Sequence, residues 1–270
     1  MVRTTSAVLA FLCLAGAAAA QTSAPPARAP RPKNARWEMT DNSFLVEEAF
    51  NEEPGIFQNI FAFVRQRGGW LMAFTQEWPA PNLRHQLSYT LSATSVASKA
   101  GLDDVLLHYR FQALHEGPGR PAFAPRFTAI VPAGSVDTGG GEGGIQINLP
   151  VSKQHGDFYL HGNGGFTWLP RGRRADLLSP SLAGSAIYRL RPMVHLVLEA
   201  VAEFDAGDSP RGTVERTRSL TISPGVRGGW NVRDDAQVIL GLAVPTTVSG
   251  GTSSIGVLGY FSYELPFKKK

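Results

Sequence analysis

The 270-residue sequence predicts an all-β fold, a transmembrane antiparallel up-and-down β-barrel of about twelve strands. Three observations predict it. After an N-terminal export signal, no apolar run approaches the roughly 20 residues that a membrane-spanning helix needs. From Gly55 to Phe267, apolar and polar residues alternate in short segments separated by Gly, Pro, Asn, Asp and Ser, which is the period-2 signature of strands with two unlike faces. In the register that this alternation fixes, Arg110, Arg126, Arg189, Arg227, Glu199 and Glu203 fall on the face opposite the apolar one.

The export signal occupies residues 1–20. Arg3 supplies the positive start, residues 7–17 form the apolar run, and Ala18-Ala19-Ala20 give the small-residue cleavage site, with Gln21 as the new N-terminus. Cys13 is the only cysteine. It sits inside the apolar run behind Leu12, where a lipoprotein signal would need a small residue, so the expected mature chain has no cysteine and no disulfide. The 26 basic and 22 acidic residues are nearly balanced and give no case for nucleic-acid binding. The 29 Gly and 19 Pro suit many turns rather than helices.

Residues 21–36, QTSAPPARAPRPKNAR, lack apolar periodicity and read as a disordered Pro/Ala-rich linker. Residues 37–54 are acidic, with Phe44, Leu45, Val46 and Phe50 set among the charges. They are expected on the periplasmic side, either as a short helix or lid at the base of the barrel or as an ordered extension without a special role.

Residues 55–267 carry the barrel. Strands are expected near 55–65, 70–78, 84–95, 103–113, 122–132, 144–152, 157–169, 181–191, 193–205, 218–230, 235–246 and 255–267. In Val105–Ala113, Val105, Leu107, Tyr109 and Phe111 alternate with Leu106, His108, Arg110 and Gln112. In Met193–Phe204, Val194, Leu196, Leu198, Ala200, Ala202 and Phe204 alternate with His195, Glu199 and Glu203. Ile145, Ile147, Leu149 and Val151 alternate with Gln146 and Asn148. The first two segments fit least well. Both faces of 55–65 are largely apolar, and Gln76 falls on the apolar side of 70–78. Residues 268–270, Lys-Lys-Lys, form a basic tail.

Alternation alone also fits a soluble sandwich. Charge placement favours a barrel in lipid. Sliding every strand by one residue would turn Arg110, Arg126, Arg189 and Arg227 outward, at roughly 2–4 kcal/mol each near the bilayer midplane. Trp70, Trp78, Trp168, Tyr188, Phe204, Trp230 and Phe267 fall near strand ends on the apolar side, as interfacial girdles do. With both termini in the periplasm, the outer connections are expected to be mostly as long as the inner turns or longer. Alternation also lets an exported chain cross the inner membrane without a stop-transfer segment.

The residues expected to line the lumen are His108, Arg110, Arg126, Gln146, Asn148, His161, Arg189, Glu199, Glu203 and Arg227. Both signs of charge occur among them, so strong ion selectivity is not expected.

Several strings together carry a resemblance: Asp41-Asn-Ser-Phe-Leu-Val-Glu-Glu-Ala-Phe-Asn51, Phe74-Thr-Gln-Glu-Trp-Pro79, Arg84-His-Gln-Leu-Ser-Tyr89, Asp104-Val-Leu-Leu-His-Tyr-Arg110, Ala122-Phe-Ala-Pro-Arg126 and Gln146-Ile-Asn-Leu-Pro-Val151. The chain from about residue 40 to 267 resembles a family of outer-membrane transporters often labelled after a phenol meta-cleavage (MetA) pathway. The resemblance implies an outer-membrane barrel of a Gram-negative bacterium that passes small molecules, aromatic or hydrophobic ones included. It transfers no functional residues. Barrels of this kind usually end on an aromatic residue; here Lys268–Lys270 follow Phe267.

The expected function is a channel or binding barrel for small molecules, with a plugged structural barrel as the alternative. A lipid hydrolase is the remaining alternative; it would need a Ser, a His base and an orienting group in contact, and no strand His has a Ser two residues away on its own face. No catalytic residue, metal site or cofactor is expected. Gly139–Gly144 reads as a flexible loop, without the Lys and strand-to-helix setting of a phosphate cradle. Expected partners are outer-membrane lipid, lipopolysaccharide (through the basic Arg171–Arg174 loop), the barrel assembly machinery during biogenesis and an unidentified small solute.

Overall fold

The alternating segments form twelve antiparallel spans in the computed structural model, which describes residue 39 and residues 43–266 apart from 98, 136, 173, 210–211 and 233–235. The spans are β1 (Ile56–Gln66), β2 (Gly69–Pro79), β3 (His85–Val96), β4 (Lys99–Leu102 and Val105–Phe111), β5 (Ala122–Phe123 and Arg126–Val131), β6 (Gly144–Asn148 and Val151–His155), β7 (Phe158–Leu169), β8 (Leu177–Arg191), β9 (Val194–Asp208), β10 (Val214–Asn231), β11 (Gln237–Ala243 and Thr246–Ser249) and β12 (Thr252–Pro266). The export signal, the linker, Trp37, Arg173, Phe267 and the basic tail lie outside the described residues.

Each span pairs with its neighbours in sequence, and β12 closes on β1 from Ile56↔Pro266 to Gln66↔Gly256. Closure satisfies the backbone of every span and leaves no open edge, which hydrocarbon requires. Four spans are interrupted, and the causes are local. Pro125, Pro150 and Pro245 lack the N–H a ladder needs. In β4 the Asp104 carboxylate accepts from the N–H groups of Gly134 (3.0 Å) and Gly140 (2.9 Å) instead. Single bonds bridge the breaks, among them Leu149 N–H to Gly164 O at 2.9 Å and Val244 N–H to Pro224 O at 2.9 Å.

The outer wall is the apolar face. Leu107, Leu182, Leu198, Leu220, Leu240, Leu242 and Val257 are exposed there, as a lipid-facing band demands. Trp70, Trp78, Trp168, Tyr188, Phe204 and Trp230 lie on this face near strand ends. Phe61, Phe74 and Phe261 break the girdle rule, since they pack together outward in mid-strand, with centroids 4.8 and 5.7 Å apart. Gln76 is outward too, and Gln76 Nε2 donates to outward Asn59 Oδ1 at 2.8 Å. The two amides satisfy each other, which lowers the penalty of a polar group on a lipid-facing wall.

The connections differ from expectation. At the end away from the termini, two of them shrink to the two-residue turns 67–68 and 250–251, and only two residues separate Val96 of β3 from Lys99 of β4. The spans run on instead: β9 and β10 pair out to Asp208↔Val214. A span needs only about 9–11 residues in lipid. Beyond it both faces are wet, so the ladder continues where alternation stops, and the asymmetry between the two ends lies partly in strand height.

Residues 43–53 are neither a helix nor a lid at the base. They form an extended, irregular strap inside the barrel. The main apolar cluster lies there, where Met39, Phe44, Leu45 and Val46 meet inward Ile60, Val64, Leu71, Ile187, Val197, Val201, Ile239, Leu258 and Tyr260. This explains why both faces of β1 are apolar: one meets lipid and the other meets the strap.

Candidate functional site

The strap and the inner wall that holds it form the candidate site, at the end of the lumen that carries the termini. The strap has no strand partner, so its backbone groups must find side chains. Met39 N–H donates to Pro192 O at 3.1 Å, at the β8–β9 turn. The N–H groups of Phe44, Leu45 and Val46 converge on Glu199 Oε1 at 3.0, 2.7 and 3.0 Å, a concave nest of donors around one anion. Glu47 and Asn163 bond reciprocally: Glu47 N–H donates to Asn163 Oδ1, and Asn163 Nδ2 donates to Glu47 O, both at 2.7 Å. Ala49 N–H donates to Ser152 Oγ at 2.8 Å. Asn51 N–H donates to Gln112 Oε1 at 3.1 Å, and Gln112 Nε2 donates back to Ala49 O at 2.8 Å. Glu52 N–H donates to Gln86 Oε1 at 2.7 Å. The strap thus tracks around the wall from β9 through β7, β6 and β4 to β3 before entering β1.

The centre of the strap is electrostatic. The Glu47 carboxylate pairs with Arg110 and, at 3.2 Å, with Arg126 Nη1. It also accepts from Asn148 Nδ2 at 2.5 Å. Glu47 and both arginines are buried. Arg110 Nη1 further donates to Phe50 O at 3.0 Å. On the opposite side, the Phe44 ring lies 5.2 Å from the Tyr260 ring over two glycines. A Cβ at Gly225 or Gly241 would come within 2.9 or 2.4 Å of the Phe44 ring. Polar bonds therefore hold the strap to β3–β9, and apolar packing presses it onto β1, β2 and β8–β12.

All ten residues expected in the lumen are on the inner wall, but they do not form one cluster. Arg110, Arg126 and Asn148 meet at Glu47. Gln146 continues that group, accepting from Arg126 Nη2 at 2.8 Å and donating to Thr167 Oγ1 at 3.2 Å. Glu199 holds the start of the strap. His195 Nδ1 lies 3.0 Å from Arg227 Nη2. His108 sits in a ladder across four strands, Thr75–Thr90 at 2.7 Å, Thr90–His108 at 3.0 Å and His108–Thr128 at 2.8 Å. Arg189 points to the β7 turn, where Arg189 Nε donates to Asp157 Oδ1 at 3.0 Å. Glu203 stands apart, accepting from Ser219 Oγ at 3.2 Å.

Sequence reasoning missed three elements of the site. The strap was not placed in the lumen. Gly225 and Gly241 gave no signal as a ring socket. The His161–Ser152 pair also escaped, because it is cross-strand rather than along one strand: the two are register partners with Oγ 2.7 Å from Nδ1. Glu48 Oε1 lies 3.9 Å from His161 Nε2, so the composition resembles a catalytic triad. Ser152 is fully buried, and its Oγ already accepts the Ala49 N–H, so the strap fills the space an attacking hydroxyl would need. Among the described residues, no group of three or more His, Cys, Asp or Glu is placed to hold a metal ion.

At the other end, three loops are tied together. Arg171 Nη1 bonds Asp208 Oδ2 at 2.7 Å, and Arg174 bonds Glu142 at 2.6 Å and Asp208 at 3.2 Å. The basic loop expected to meet lipopolysaccharide is engaged by carboxylates of its own chain.

No protein-family model matches the chain, and no curated protein matches it. Solved structures match in fold. A COG4313 outer membrane channel from Pseudomonas putida F1 is 11% identical with a TM-score of 0.61, over 88% of this chain and 100% of that one. The KdgM porin is 11% identical with a TM-score of 0.51, over 76% and 98%. The NanC porin is 8% identical with a TM-score of 0.50, over 77% and 100%. At these identities the likeness is one of fold, a barrel of the outer-membrane type.

Proposed function

We propose that the protein is an outer-membrane channel for small polar molecules, narrowed at its periplasmic end by the strap. The observation that carries this reading is the contrast between the walls: the outer one is apolar, and the inner one presents hydrogen-bonding side chains around a strap that water and solute would have to pass. The half of the lumen beyond the strap supports the choice of polar solutes, since half-buried Thr167, Ser179, Ser181, Thr217 and Ser219 line it with hydroxyls. The likeness to porins and to a channel of the same fold is consistent with transport.

Aromatic or hydrophobic solutes are a second reading. It is favoured by the inward apolar stripe of Ile60, Val64, Leu71, Ile239 and Leu258. In this structure Phe44, Leu45 and Val46 cover that stripe, so such a solute needs the strap to move.

Conductance across a planar bilayer tests the proposal. Small, defined single-channel steps are expected from the full chain, and larger steps from Glu47→Ala, which frees the centre of the strap. Protein that shows heat-modifiable gel migration, and is therefore folded, yet gives no steps in either form would leave a structural barrel instead.

A further inference from the structure

We propose that the half of the lumen beyond the strap selects cations, through Glu203 and Asp205 of β9 assisted by Asp103 of β4. The inference rests on the channel reading and adds the sign of charge that the channel favours.

The inward-facing charges look mixed in sequence, but height in the barrel sorts them. Arg110, Arg126, Arg189 and Arg227 all lie within the last five positions of their spans at the end that carries the termini. Acids accompany them there, with Glu47 and Glu199 in direct contact with the strap and its anchors. Past the strap, the one inward-facing Arg or Lys among the described residues is Lys99, which lies at the rim in register with Val96 and is bound to Asp137. The inward acids are then Glu203 and Asp205 of β9 and Glu215 of β10, with Asp103 beside Ser92.

Glu203 is only 4% exposed. Its hydrogen bond comes from a neutral hydroxyl, Ser219 Oγ at 3.2 Å, and the charged neighbour acting on it is another carboxylate, Asp205. Asp103 repeats the pattern: its partner is the Ser92 hydroxyl and its charged neighbour is Asp104. A buried carboxylate without a counter-charge is strongly disfavoured until a proton or a cation joins it. The hydroxyls around it add neutral oxygen ligands, which suit a partly dehydrated cation and offer an anion little. Basic groups at the rim do not cancel the acids. Arg171 and Arg174 are bound to Glu142 and Asp208, and Lys99 is bound to Asp137.

The test compares the wild-type chain with Glu203→Gln/Asp205→Asn, both checked for heat-modifiable migration. Reversal potentials across a KCl gradient should show the wild type favouring potassium over chloride. The double variant should lose roughly an order of magnitude of that preference per charge removed, since a unit charge about 5 Å away in water favours potassium and disfavours chloride by about fourfold each. Asp205→Asn alone should give an intermediate value. Titration of spermidine into detergent-solubilised protein provides a readout that needs no conductance, and binding should weaken by a similar factor. A wild type that is unselective or favours chloride, or a double variant with unchanged selectivity, overturns the inference while leaving the channel. If neither protein conducts, the channel reading falls. The spermidine titration then decides the inference: loss of binding in the variant supports it, and equal or absent binding overturns it.

Discussion

The two halves of the lumen are built on different principles. Near the termini, an irregular strap crosses the interior, and buried Arg, Glu, Asn and Gln side chains take up its backbone groups one by one. Beyond it, the interior is lined by Ser and Thr on plain antiparallel spans, and the inward acids Glu203 and Asp205 have no basic partner among the described residues. The difference teaches what an inserted segment demands. A strand in a ladder brings its own hydrogen bonds, whereas a strap requires wall residues committed to it. The strap half should therefore be sensitive to single substitutions, and the outer half tolerant of them.

The largest expected effect is at Glu47. Glu47→Ala leaves Arg110 and Arg126 buried without their carboxylate, at about 3–5 kcal/mol. Denaturant unfolding in detergent should show the loss, and residues 43–53 should become open to protease while the barrel persists. A barrel as stable as wild type would break the comparison. Next is Glu199→Gln, which replaces the anion shared by three N–H groups with a neutral acceptor. A loss of about 1.5–3 kcal/mol is expected, read as faster hydrogen exchange at Phe44, Leu45 and Val46 than at strand amides. Gly241→Ala should cost about 1–3 kcal/mol by forcing the Phe44 ring away. Combining it with Phe44→Leu should recover part of that loss, and strict additivity of the two would remove the socket from the account. The smallest effect belongs to the outer end. Arg174→Ser breaks exposed ion pairs worth about 0–1 kcal/mol, so unfolding should be unchanged within error and conductance steps should keep their size.

The strands were legible because lipid on one side and water on the other force alternation, as in Val194–Phe204. Legibility stopped where that contrast stops. Past the lipid, β9 and β10 continue with both faces wet, so their outer ends read as loops. The strap was not legible because its order comes from Glu199, Asn163 and Gln112, far away in sequence, rather than from any period of its own. The ten lumen residues could be assigned to a face from alternation. Their grouping could not, since His161 with Ser152 and Arg110 with Arg126 depend on register between strands.

The central claim is that the strap lies inside the barrel, and one cross-link tests it most directly. Ser43 Oγ donates to Ser185 Oγ at 2.9 Å, joining the strap to the inner face of β8. In an exported chain that has lost Cys13, Ser43→Cys with Ser185→Cys introduces the only two thiols. The account predicts a disulfide between them under mild oxidation, seen as a linked peptide by non-reducing mass spectrometry of folded, heat-modifiable protein. Two free thiols in an equally well-folded barrel would contradict it.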